Sequence, residues 1–421
     1  MLDSQVSLLP IPPNGKALRV LCVGEEEESL GELDRLLATL GVVPLSRLSV
    51  VQRKINPATY IGKGKLEEVQ QRAVSEDADA VIFDMELSPN QLRNVEKFVG
   101  KPVVDRPGVI IEIFSRHART KESKTQVELA RLQYLLPRLA HYWSHFERQR
   151  GGIGNKGMGE TQIEVDRRLV KRRMSVLRER LDGIERERNV QRSGREDVLK
   201  VALVGYTNAG KSTLLNALTQ SQVRAEDKLF ATLDSSVRTL DPNCHPPIVA
   251  IDTVGFIRRL PPSLVASFRS TLEELHQADL LLHVVDGSSS QAREELEVTI
   301  SILKELGVDT KPRLTVLNKS DQVGGGAAGR NWARLAAPGA MNISALNPED
   351  VRKLRDLVLE HFRKGLEVYE ILVPYAESRL ESQLHAHGSI ETSRHLEKGT
   401  FYRLRMEEGW ARKLGLEKFR L

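Results

Sequence analysis

Short apolar runs alternate with longer stretches of helical spacing along the first quarter of the chain. Leu18 to Val23, Leu45 to Val51, Ala80 to Phe83 and Pro102 to Asp105 read as strands; Leu30 to Leu40, Lys65 to Ala73 and Gln91 to Val99 read as the helices between them. That alternation predicts a small α/β domain with a mainly parallel sheet over residues 1–116. A helix is expected from Lys121 to Glu147, interrupted or bent at Pro137, where the ring removes a backbone donor. A second is expected from Glu160 to about Gln191. Its Ile163, Val170, Leu177 and Ile184 recur every seven residues with Met174 and Leu181 interleaved, the seam of a helix packed lengthwise on a partner. Because the other faces are heavily charged, the simplest arrangement for residues 117–197 is an antiparallel helical hairpin projecting into solvent.

Val201 to Val204, Ile248 to Ile251, Leu280 to Val285 and Leu314 to Leu317 are apolar runs of core-strand length, which place a second α/β domain at residues 198–364. After Leu366 come a strand to Val373, a helix from Ala376 to His387 and alternating strands around Ile390 to His395 and Phe401 to Met406. Residues 365–421 therefore read as a small α+β module. No internal repeat interrupts this order, and Gly324 to Gly329 reads as a surface loop.

At 421 residues the chain is too long for one core. Apolar content of 40% and charge of 28% are those of an ordinary globular protein. The net charge of +5 is mild, yet it is unevenly placed. Between Arg116 and Arg195 roughly 20 Lys and Arg stand against roughly 10 Asp and Glu, so the rest of the chain is slightly acidic. The two cysteines, Cys22 and Cys244, lie in unrelated segments, which fits a reducing compartment and excludes a disulfide framework. With no apolar run of about 18 residues and no secretory leader, a cytoplasmic protein without a membrane span is expected, peripheral association with membranes staying open.

The stretch that carries the chemistry is Gly205-Tyr206-Thr207-Asn208-Ala209-Gly210-Lys211-Ser212-Thr213, between a strand and a helix. This is the context a phosphate-binding loop requires. Gly205 and Gly210 let the backbone curl so that N–H groups face phosphate, Lys211 reaches the β- and γ-phosphates, and Ser212 ligates Mg²⁺. The strand at Ile251 ends in Asp252-Thr253-Val254-Gly255, where Asp252 holds Mg²⁺ through water and the Gly255 N–H senses the γ-phosphate. Leu317 runs into Asn318-Lys319-Ser320-Asp321. A carboxylate at Asp321 pairs with N1–H and N2–H₂ of guanine, which adenine cannot offer, so GTP and GDP are the expected nucleotides. Ser344-Ala345-Leu346 closes over the base. Between these elements, Phe230-Ala231-Thr232 is the expected first switch, with Thr232 completing the Mg²⁺ shell and Thr239 as the weaker candidate. Lys211, Thr232 and Gly255 are thus the expected catalytic set. Phe256 stands where many GTPases place a water-orienting glutamine, and a phenyl ring cannot polarise water, so slow intrinsic hydrolysis is expected. Asn208 suggests a K⁺ ion against the phosphates, or else an asparagine that stabilises the loop.

Two further groups were weighed. Tyr60-Ile61-Gly62-Lys63-Gly64-Lys65 either touches phosphate or forms the turn that starts a helix. His141 and His145 lie one helical turn apart but have no third ligand nearby, so a polar or RNA-facing surface is preferred to a metal.

The glycine-rich connection at residues 148–160 carries Arg148, Arg150, Gly151, Gly152, Gly154 and Lys156, and the following helix carries Arg167, Arg168, Lys171, Arg172 and Arg173. Cations hold phosphates, and a backbone poor in side chains fits a narrow RNA cavity; the plainer alternative is a slack linker with solvated charge.

The segment Arg-Gln-Arg-Gly-Gly-Ile-Gly-x-x-Gly-x-Gly-Glu-Thr-Gln-Ile-Glu-x-Asp-Arg-Arg from Arg148 to Arg168, preceded by an α/β domain and followed by the nucleotide motifs, resembles the HflX family of ribosome-associated GTPases over nearly the whole chain. The resemblance implies a P-loop GTPase that binds the large ribosomal subunit through the hairpin loop and separates or rescues stalled ribosomes under stress. It also implies low basal turnover stimulated by the ribosome, and a chain that is monomeric when free. The alternatives are a ribosome biogenesis GTPase acting on the large subunit, and an RNA-remodelling enzyme whose N-terminal domain binds a second nucleotide such as ATP.

Overall fold

The computed structural model describes residues 7–10, 16–51, 54–139, 158–192, 198–219, 229–230, 236–241, 247–259, 274–322, 339–364 and 366–421, side chains at 158–163, 188–192, 241 and 378 excepted. Contacts divide the chain into two compact units: Met1–Asn189 with Glu226–Asp234 and Arg259–Ser270, and Val190–Ala225 with Ser235–Arg258 and Thr271–Leu421.

In the first unit, β1 (Arg19–Gly24), β2 (Val43–Ser49), β3 (Ala80–Phe83) and β4 (Val103–Asp105) form a parallel sheet in the order β2-β1-β3-β4. The connections carry α1 (Glu27–Thr39), α2 (Lys63–Ser75) and α3 (Pro89–Val99). Strand positions alternate between faces: Leu21, Val23, Val81 and Phe83 meet Leu66, Val69, Leu92 and Val95 of α2 and α3. Local chemistry sets the ends of α3, where Ser88 and Gln91 make a capping box and Gly100 closes the helix at φ 74°. The Gly62 to Lys65 turn serves helix formation: Gly62 is the N-cap of α2, and Lys65 pairs with Glu68 at 2.8 Å.

A helix that the sequence pattern did not indicate, α4 (Arg106–His117), follows β4 directly, with Asp105 as its cap. Arg106 is almost fully buried; its guanidinium meets Asp84 at 2.5 Å and also Glu32. Next comes α5 (Lys121–Leu135), capped by Thr120 and ending in a 3-10 turn, Leu136–Arg138, at Pro137 as expected. The described part of the first helix of the expected hairpin is embedded, and its expected continuation to Glu147 lies outside the described residues. One side of α5 faces α4, where Arg131 reaches Glu112 at 3.4 Å and Tyr134 Oη donates to Asp105 at 2.8 Å. Its other side packs on α6 (Met158–Arg192), with Leu129 and Leu132 against Val170, Met174 and Leu177. The connection between α5 and α6, including Arg148, Arg150, Gly151, Gly152, Gly154, Lys156, His141 and His145, lies outside the described residues.

In the second unit, β5 (Leu199–Val204), β6 (Ser236–Asp241), β7 (Ile248–Asp252), β8 (Leu280–Asp286), β9 (Arg313–Asn318) and β10 (Met341–Asn342) form a sheet in the order β10-β9-β8-β5-β7-β6. All neighbours are parallel except β6 with β7. One core cluster joins the sheet to α7 (Lys211–Thr219) and α9 (Pro348–Arg363), and another joins it to α8 (Ala292–Glu305). The C-terminal module has a core of its own. Antiparallel β11 (Glu367–Val373), β13 (Gly399–Met406) and β12 (Ser389–Leu396) pack on α10 (Ser378–His387) and α11 (Glu408–Leu414) through Tyr369, Leu384, Leu404 and Ala411.

Candidate nucleotide site

The parallel strands β5, β7, β8 and β9 end together, and the chain leaves each of them as a loop. After β5, the loop from Gly205 to Gly210 starts α7 and is possible only with glycine at both ends. Gly205 has φ 152°, and a Cβ there would lie 2.1 Å from the Val284 carbonyl oxygen; Gly210 has φ 90°, and a Cβ would lie 2.2 Å from Asn318 Nδ2. Ala209 is fully buried and Thr213 half-buried in the first turn of α7. Lys211 is buried, and its ammonium donates to the Gly205 carbonyl at 3.1 Å and the Tyr206 carbonyl at 2.7 Å. Burial pushes its pKa down to about 8, against the attraction of Asp252. The site therefore holds a cation inside a curl of backbone, a cradle for a polyanion.

Ser212 Oγ donates to Asp252 Oδ2 at 2.6 Å, which puts two hard oxygen donors side by side at the ends of α7 and β7. That donor set suits Mg²⁺, which would neutralise charge on the β- and γ-phosphate oxygens. Past Asp252, Thr253 Oγ1 donates to the Leu203 carbonyl at 2.6 Å, and Val254 is half-buried. Gly255 then passes so close to the loop that a Cβ would lie 2.8 Å from Thr207 Cα and 3.0 Å from Lys211 Nζ. Phe256 is 2% exposed, its ring buried and its backbone bridged to Tyr206. Asn208 sits at φ 61°, a left-handed conformation that asparagine tolerates better than most residues, which supports the loop-stabilising alternative for it.

At the other end of the site one buried side chain joins three loops. Asn318 donates from Nδ2 to the Ala209 carbonyl at 2.9 Å and accepts the Ala345 N–H on Oδ1 at 3.0 Å. Lys319 has φ 63° and pairs with Asp286 at 2.7 Å. Asp321, at the open rim, accepts the Ser344 hydroxyl at 2.6 Å, and Ser344 Oγ also accepts the Leu346 N–H at 3.3 Å. The Asp321 carboxylate is an acceptor of the kind a base with adjacent N–H groups requires, while the Asn318 amide is spent on holding the loops together.

Three matches to protein-family profiles fall on this chain: "GTP-binding GTPase N-terminal" on residues 27–115, "GTP-binding GTPase Middle Region" on 117–195 and "50S ribosome-binding GTPase" on 200–319. GTPase HflX of Caldanaerobacter subterraneus is 43% identical over 89% of this chain and 86% of its own, and GTPase HflX of Escherichia coli is 39% identical over 87% of each. A crystal structure of a GTP-binding protein from the archaeon Sulfolobus solfataricus in complex with GDP is 27% identical, covering 82% of this chain and 98% of that one at a TM-score of 0.42. The chain belongs to the HflX family of GTPases. GTP hydrolysis is therefore its reaction.

In this HflX GTPase four of the expected loops are brought together. The 205–213 loop, the 252–255 turn, the 318–321 loop and the 344–346 loop converge within the second unit. Ala231 and Thr232 lie outside the described residues, whereas Phe230 belongs to the first unit, its ring edge-on to Phe114 at 4.7 Å. Thr239 lies in edge strand β6, paired with Val249 of β7. Sequence reasoning missed Asp286, Tyr206 Oη as the acceptor of the Arg258 N–H at 2.8 Å, and His283. His283 lies in β8 opposite Val204, and neither ring nitrogen has a partner among the described residues. Burial, then Arg313 and Lys211, push its pKa down to about 3.

Proposed function

We propose that this HflX-family GTPase is a ribosome switch: it binds the large subunit and its RNA through α5, α6 and their connection, and uses GTP to separate or rescue stalled ribosomes. The observation that carries the reading is the surface of α6, where Arg167, Arg168 and Arg172 are exposed and have no carboxylate partner among the described residues. Uncompensated arginines along one helix are what phosphate recognition needs. Arg173 is a weaker candidate, since it makes a two-pronged pair with Glu128 at 2.7 and 3.1 Å. The description of the profile on residues 200–319 as a 50S ribosome-binding GTPase supports the same partner.

Within this reading Lys211 meets the β- and γ-phosphates, Ser212, Asp252 and Thr232 hold Mg²⁺, the Gly255 amide meets the γ-phosphate, and Asn318 and Asp321 read guanine. Buried Phe256 supports slow turnover until the ribosome completes the site, and K⁺ at Asn208 stays an open addition. The protein is monomeric when free and cytoplasmic. No helix among the described residues is long and apolar enough to cross a membrane.

The test is sedimentation of intact ribosomes with the protein and a non-hydrolysable GTP analogue. Free subunits support separation. Intact ribosomes, with binding confined to immature large subunits, would replace it by the assembly role.

A further inference from the structure

The segment after Gly255, from Phe256 to Arg258, is the second switch (switch II) of this reading, and it is attached at several points. The Phe256 N–H donates to the Gly205 carbonyl at 3.1 Å, and the Thr207 N–H donates to the Phe256 carbonyl at 2.7 Å, so residues 205–207 and 256 form a parallel bridge. Two residues on, the Arg258 N–H donates to Tyr206 Oη at 2.8 Å while the Arg258 guanidinium pairs with Glu294 at the start of α8. Tyr206 is 4% exposed, its side chain turned to switch II. The segment from Phe256 to Arg258 is thus fixed at both ends, by backbone at one and by a phenol at the other. The residue immediately before it is Gly255, where an added Cβ would crowd Thr207 and Lys211.

We infer that Tyr206 is a positioning residue for the terminal phosphate: its hydroxyl fixes the Phe256 to Arg258 segment against the phosphate loop, so that a triphosphate meets the Gly255 amide already in place. The inference rests on the reading of this site as the GTP site. Preorganisation of this kind acts on the γ-phosphate alone, because a diphosphate has no atom that reaches residue 255. A tyrosine is needed, since phenylalanine would fill the same volume and leave the Arg258 N–H without its acceptor. Glu294 acts on the same segment from the other side and should matter less, because it touches only the Arg258 side chain.

The experiment measures GDP and a non-hydrolysable GTP analogue against the parent, Tyr206→Phe and Glu294→Gln, together with single-turnover hydrolysis of bound GTP. For Tyr206→Phe the ratio of analogue to GDP affinity is expected to fall about five-fold, the worth of one lost hydrogen bond, with a parallel drop in single-turnover rate. Glu294→Gln is expected to move the ratio the same way by about two-fold. Equal losses for both nucleotides would reduce Tyr206 to a packing residue, and an unchanged ratio would show the bond to be idle. A rise would mean that it holds the site closed against GTP; each of these overturns the proposal. If Tyr206→Phe melts early and binds nothing, the sign of the Glu294→Gln ratio decides. A parent that does not prefer guanine nucleotides would instead remove the site assignment itself, whatever the variants do.

Discussion

Arginine is used in two opposite ways in the first unit. In its interior, Arg106, Arg131 and Arg138 are buried and consumed by carboxylates: Asp84 and Glu32, Glu112, and Asp105 in turn. Burial pushes the carboxyl pKa of Asp84 and of Asp105 up, with the adjacent guanidinium pulling the other way. On α6, Arg167, Arg168 and Arg172 carry the same group at the surface without such partners among the described residues. The local excess of positive charge is therefore a poor measure of nucleic-acid binding. What counts is the part of it that the fold has not already neutralised.

The largest effect should come from breaking an interior pair. Arg106→Ala removes from buried Asp84 and Glu32 the guanidinium they share, leaving Asp84 with Arg259 at 3.6 Å, and is expected to destabilise by about 3 kcal/mol, whereas Arg168→Ala should change stability by less than about 0.5 kcal/mol. Denaturant melts of the two variants check this, and similar values would erase the contrast. Neutralising Arg167, Arg168 and Arg172 to Gln should leave the melt in place and flatten the salt dependence of ribosome binding, by about one unit of log–log slope per lost phosphate contact. A full loss of slope from Arg173→Gln alone would show that its pairing with Glu128 does not withhold it.

Two buried bases in the second unit extend the comparison to pH. Lys211 must be charged to meet phosphate, so nucleotide affinity should be flat below about pH 8 and decline above it, by up to about ten-fold per unit. Titrations between pH 7 and 9.5 test this. His283 is neutral in the fold, with a pKa pushed down to about 3, while an unfolded chain protonates it near pH 6.5. Its contribution to stability is thus fully present above about 6.5 and is lost as pH falls toward 3, a slope that His283→Leu should flatten. At the surface, Glu128→Gln should cost no more than about 1 kcal/mol, because the Arg173 side chain it holds is half exposed.

Much of the architecture was legible because it repeats. Alternating runs gave the four strands of the first sheet and β5, β7, β8 and β9 of the second, and the seven-residue spacing gave the face of α6 that buries Val170, Met174 and Leu177. The helix α4 escaped because Val109, Ile110, Ile111, Ile113 and Phe114 are all buried, so no polar face breaks the run into a helical period. Its one local signal was Asp105 followed by Pro107. Burial of α5 on two sides was invisible for a different reason: Gln126, Thr125 and Arg131 look like a solvent face until Glu112 and the rest of α4 are placed beside them. At the nucleotide site, the motif letters located every loop that the structure brings together, but not what binds them. The contact of Asn318 with Ala209 spans 109 positions, and that of Arg258 with Tyr206 spans 52. Neither separation leaves a trace in spacing.

The carboxamide of Asn318 has a consequence for how the site can change. Its nitrogen is committed to the phosphate loop and its oxygen to the loop over the base, and neither commitment can be exchanged without turning the group end for end. Asp321 is less committed, since its neighbour Ser344 is the only described side chain it engages. Asn318 offers no such freedom. Any substitution there releases the loops at Ala209 and Ala345 together, so change at the rim can be local while change at Asn318 cannot.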